Sequence, residues 1–125
     1  MSTPRVVFEY AALRAVPRLE RGECVNIGVV LYCQARAFLA VSVHVDAARL
    51  RALDAGVDVE GVTAAAEALQ LTCEGKGPAG QTTLGQRFRW LTAPRSTVVQ
   101  TGPAHSGLTA DPVGELDRLL TALVR

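Results

Sequence analysis

The 125-residue sequence has almost no net charge, since 13 basic residues against 12 acidic ones give +1. So even a balance excludes a global field for nucleic acid or for an anionic membrane surface, and any anion binding must be local. Lysine is nearly absent as well. Twelve of the 13 basic residues are arginine, a bias that either a GC-rich genome or a need for bidentate donors produces. Cys24, Cys33 and Cys73 neither pair off evenly nor show CxxC spacing, so no disulfide framework or zinc site is expected and a reducing, cytoplasmic setting fits. The apolar run before Glu9 is too short for a signal peptide, and no apolar stretch approaches the ~20 residues that span a bilayer. Repeats and low-complexity tracts are missing. So are a Walker loop, a G-x-G-x-x-G, a G-x-S-x-G elbow and an H-E-x-x-H, and His44 with Asp46 is too common a pair to read as metal binding. No metal, no cofactor and no reaction is named by any motif, and catalytic residues are not assignable.

What is present reads as one α+β domain over residues 1–125, a length near the modal domain size. Residues 6–16, VVFEYAALRAV, predict a strand ending at Pro17, and 24–33, CVNIGVVLYC, predict a strand covered on both faces. AFLAVSVHV, 37–45, makes a third, and short connections make the three an antiparallel meander. Asp46 caps a helix expected to run to about Ala55 and to end at a left-handed Gly56. Asp58 caps a second helix, with Val62, Ala65, Ala66, Leu69 and Cys73 on one face and Gly75 at its end. Thr83 and Gln86 form a capping box that starts a short helix through Phe88, Trp90 and Leu91, all expected in the core. STVVQT, 96–101, predicts a fourth strand, placed beside the first or second because an isolated strand must pair. Asp111 and Pro112 open a last helix whose apolar stripe is Val113, Leu116, Leu119, Leu120, Leu123 and Val124. The fold expected is therefore three meander strands plus a fourth, covered mainly on one face by helices.

Two segments concentrate polar residues in unusual places. The first is PRLERGECVNIGVVLY, 17–32. Strand alternation places Tyr10, Ala12 and Arg14 on one face, Asn26, Gly28 and Val30 on one face of the second strand, and Val25, Ile27, Val29 and Leu31 on its other, wholly aliphatic face. Glycine inside a strand often marks close approach of a backbone or a ligand. The charges of Arg18, Glu20, Arg21 and Glu23 fit a solvated hairpin loop, a network with Arg14 and Asn26 that binds an anion, or a protein interface. The second segment, 87–112, holds Arg95, Ser96, Gln100 and His105, each able to hold a ligand. Equally, Ser96 can cap a turn and His105 can hydrogen-bond within a loop. The candidate binding residues are Arg14, Arg18, Arg21, Glu23, Asn26, Arg95, Ser96 and His105.

The tyrosine, arginine, proline, R-G-E and N-x-G-V of the first half and the R-F-x-W-L, A-P-R-S and H-x-G-L-T of the second occur here from Tyr10 to Val29 and from Arg87 to Thr109. In that order they resemble an uncharacterised bacterial family catalogued as domain of unknown function 3037, from which Cys24 departs in place of a bulky residue. The resemblance carries no activity, but it implies a protein partner, because similar proteins are encoded beside HipA-like kinases. The leading reading is a non-catalytic accessory or binding protein acting with such a partner. The alternative is a small enzyme or phosphate-ligand binder in which Arg14, Arg21 and Arg95 hold an anion and His105 or Glu23 moves a proton. A structural homo-oligomer is the third.

Overall fold

The computed structural model describes residues 3–125, apart from the side chains of residues 78 and 79. The chain runs β1 (Val6–Ala15), β2 (Val25–Cys33), β3 (Phe38–Val43), α1 (Ala47–Leu53), α2 (Val59–Cys73), α3 (Leu84–Leu91), β4 (Val99–Thr101), β5 (His105–Thr109) and α4 (Pro112–Leu123). This is an α+β fold on one antiparallel sheet. Its order is β3-β2-β1-β4, with β5 also bonded to β1. The long β1 takes β4 at its C-terminal end, where Leu13 faces Thr101, and β5 at its N-terminal end, where Tyr10 faces His105. β5 has no counterpart in the strands expected from sequence. HSGLT lacks an apolar alternation, and it becomes a strand because β1 offers a free edge to pair with.

The capping signals of α1–α3 are realised as hydrogen bonds, whereas Asp111 takes the N-cap position of α4 without a side-chain cap bond. Asp46 accepts from the amides of Ala48 and Arg49, Asp58 accepts from that of Gly61, and Thr83 and Gln86 close a reciprocal capping box. Gly75 adopts a left-handed φ of +79° at the end of α2. Gly56 does not, and α1 ends instead on an extended Asp54.

Two apolar clusters flank the sheet. On one side Leu50, Val62, Ala66, Leu69, Cys73, Phe88 and Leu91 of α1–α3 pack with Ala11, Leu13, Ala15, Ile27 and Val30. On the other, Leu116, Leu119 and Leu120 of α4 with Val124 pack on Phe8, Val29, Leu31 and Cys33. Of the four α-helices among the described residues, three thus lie on one face. The buried face of α4 runs through Pro112, Leu116, Leu119 and Leu120, whereas Val113 and Leu123, expected in its stripe, are exposed near the two ends of the helix.

Trp90 corrects another expectation: it is 54% exposed, while Phe88 and Leu91 are buried. On an eight-residue helix, residues 88 and 91 share a face and residue 90 lies about 200° from 88, so only one set can face the sheet. Phe88 wins by stacking on Tyr32 with ring centroids 5.4 Å apart.

The aliphatic face expected for β2 is split as well. Pairing runs Leu13 with Gly28 but Arg14 with Asn26, so Ile27 is a β-bulge. From the bulge towards the N-terminus the alternation inverts. Val25 and Ile27 join the cluster under α1–α3, and Asn26 joins the face of Val29, Leu31 and α4. Gly28 is tight for a reason other than a ligand. A Cβ there would stand 2.6 Å from the carbonyl oxygen of Ser42 on β3.

Candidate functional site

The bulge sets Arg14 and Asn26 side by side on the α4 face, and a small pocket forms between them. Its walls are Tyr10, Ala12, Arg14, Asn26, Pro103, His105 and Leu123, and its volume is about 130 Å³. Three elements fix it. Asn26 Nδ2 donates to the carbonyl of Leu123 at 3.1 Å, tying the end of α4 to β2. His105 opposes Tyr10 in the β1–β5 ladder, and their rings lie 5.4 Å apart. The chain then reaches the guanidinium from the β4–β5 connection, where the Gly102 amide donates to the carbonyl of Ala12 at 2.8 Å.

Gly102 makes room for Arg14. A Cβ at that position would lie 2.8 Å from Cζ, 2.9 Å from Nη2 and 3.0 Å from Nε of Arg14. The guanidinium therefore rests on bare backbone, with Nε out of solvent and without a hydrogen-bond partner. No carboxylate lines the pocket. Arg14 is partly buried, as are Arg87 and Arg95, but those two spend their donors on carbonyls: Arg87 on Cys73 and Thr82, Arg95 on Trp90 and Leu91. Among the described residues Arg14 alone is a half-buried arginine with neither an acid nor a carbonyl to hold. A guanidinium with one donor withdrawn from water and left without a partner is less well solvated than a free one, and a bound anion would offset that loss.

The other candidates lie elsewhere. Arg18 pairs with Glu20 at 2.8 Å and Arg21 with Glu23 at 2.6 Å, all four on the exposed β1–β2 connection, where Gly22 takes a φ of +69°. A hydrogen bond from its own backbone amide, and then Arg18, hold the Glu20 carboxyl below its ordinary range. None of these side chains lines the pocket. Arg95 caps the end of α3, with Nη2 2.6 Å from the Trp90 carbonyl and Cζ 4.8 Å from the indole centroid. Ser96 is exposed beside it. Of the eight residues singled out from sequence, the structure thus gathers Arg14, Asn26 and His105. Tyr10, Gly102, Pro103 and Leu123 complete the site. Strand alternation already put Tyr10 on the face of Arg14, and the Gly-Pro pair carried the signal of a turn, but neither could tell that the turn would cradle a guanidinium.

A second hollow, of about 590 Å³, lies by the β1–β5 end of the sheet and is bordered by Arg5, Val7, Glu9, Tyr32, Arg89 and Leu108, among others. No group of three or more His, Cys, Asp or Glu residues that could hold a metal occurs among the described residues, and none of their helices is long and apolar enough to cross a membrane.

Residues 10–124 match the family described as Protein of unknown function (DUF3037). The chain belongs to that family. Every residue that lines the Arg14 pocket of this DUF3037 protein falls within the matched span. Neither a curated protein nor a solved structure matches the chain.

Proposed function

We propose that this DUF3037 protein is a non-catalytic binding domain whose Arg14 pocket accepts one anionic group, a carboxylate or a phosphoryl oxygen set, from a larger molecule. The observation that carries this reading is the half-buried Arg14 guanidinium, resting on Gly102 with Nε unpartnered and no carboxylate in the pocket walls. Volume supports the restriction to one group. About 130 Å³ is the space of roughly four waters, well under the ~300–1,000 Å³ of sites that enclose a whole small ligand. His105 and Tyr10 add side chains with polar groups to the walls, and Asn26 fixes the far wall through Leu123. The carrier of the anion is a small molecule or a protein; the HipA-like kinase that the family resemblance implies is a carrier of the second kind.

The test is a titration of the ¹⁵N-labelled protein with acetate and with inorganic phosphate. Saturable shifts at the amides of Gly102 and His105 are expected, with a dissociation constant on the order of 10 mM, since a few charge-assisted hydrogen bonds contribute about 1.5–3 kcal/mol. Arg14→Met should abolish them and leave folding intact, whereas Arg21→Ala should change neither. Equal shifts in Arg14→Met, or none in the parent, would refute the reading.

A further inference from the structure

The pocket adjoins one end of an unshared strand edge. β5 pairs with β1 on one side, and among the described residues no strand pairs with its other side. Its first residue, His105, is also a wall of the Arg14 pocket. Between Thr101 and His105 the chain leaves the sheet, and Pro103, which has no amide hydrogen to offer a ladder, lines the pocket at that break. The edge and the cation are therefore consecutive features along one line.

We propose, building on the pocket reading, that the anionic group is the C-terminal carboxylate of an extended peptide that adds to β5 as an antiparallel strand. Direction follows from the layout. β5 runs away from the pocket, so a chain antiparallel to it runs towards the pocket and ends there. A parallel chain would bring an ammonium to Arg14 and be repelled. Main-chain hydrogen bonds to the open edge supply affinity and the carboxylate supplies the stop, a mode of recognition that needs only a group-sized pocket.

Side-chain recognition comes from the opposite face of the same strand. Val7 and Leu108 face each other across the β1–β5 ladder and are 59% and 58% exposed, a bare apolar pair beside the 590 Å³ hollow. Side chains two apart on an added strand share a face, so one row of the peptide lies along Leu108 and over this hollow. Arg5 and Arg89 border it against the single acid Glu9. The peptide that fits therefore carries an apolar residue and an acidic one two positions apart, in the row that faces the hollow, and ends in a free carboxylate.

The probe is a library of random octapeptides tethered by their N-termini, displayed once with free C-termini and once amidated. Selected free-acid peptides should perturb the amides of His105–Thr109, and amidation should weaken them about tenfold or more, the loss expected for one charge-assisted contact of about 1.4 kcal/mol. Leu108→Glu, at an exposed position, should weaken the peptides and leave acetate binding untouched. If acetate binds but free-acid and amidated peptides are selected equally, the peptide proposal is wrong and the pocket reading survives; if acetate also fails, both fall. A concentration-dependent dimer protected at the β5 amides would place a second copy on the edge and overturn the proposal too.

Discussion

Arg14 stands directly opposite Asn26 across the β1–β2 ladder although strict alternation from Gly28 would pair it with Ile27. One inserted residue decides this. Ile27 is absorbed into the core under α1–α3, and its carbonyl accepts from the His44 amide at 2.7 Å, so the bulge is held from both sides. A polar pair that alternation would separate thereby shares a face with the end of α4.

Gly102 is expected to govern the placement of Arg14 more than the stability of the fold. In Gly102→Ala the new methyl meets the end of a flexible side chain, which can swing away. The melting temperature should fall by under about 4 °C, equivalent to under about 1 kcal/mol. Acetate affinity should drop severalfold in the same variant, and unchanged affinity would show that the guanidinium does not need this seat.

Gly28→Ala should behave in the opposite way. Its methyl would press on the Ser42 carbonyl in the next strand, and backbone cannot swing aside. A loss of roughly 2–3 kcal/mol is expected, as for overpacking a closed core, and urea unfolding would measure it.

The aromatic residues of α3 divide by exposure. Phe88→Ala should cost about 3–5 kcal/mol, whereas Trp90→Ala should cost about 1 kcal/mol or less, chiefly the loss of the Arg95 contact. The single tryptophan should also fluoresce as a solvated indole and be quenched readily by iodide.

Burial, and secondarily Glu74, pushes the Cys73 thiol from its ordinary 9.0 up to about 11. The folded state thus holds a proton that the unfolded chain releases first. Stability from this group is fully present below pH 9 and is lost as the pH rises towards 11. Between pH 8 and pH 10.5 the parent should lose on the order of 2 kcal/mol more than Cys73→Ala. Below pH 9 only the exposed Cys24 should react with a thiol reagent, since Cys33 and Cys73 are buried.

Much of this architecture was written locally. Asp46, Asp58 and the Thr83–Gln86 box mark helix starts because capping involves residues three or fewer apart, and the first three strands announce themselves by β-branched runs. Arg14, Asn26 and His105 were visible as odd polar residues for the same reason. What local signals could not show was their meeting. The Ile27 bulge depends on how β1 and β2 register, β5 exists only because β1 has an edge to share, and the exposure of Trp90 follows from Phe88 reaching Tyr32 first. The loop charges of Arg18 to Glu23 looked as eligible as Arg14, and only the tertiary structure separates them. The loop pairs neutralise one another in water, while Arg14 is carried by a strand into a half-buried niche on the backbone of Gly102, some 90 residues away in sequence, where none of the described residues answers its charge.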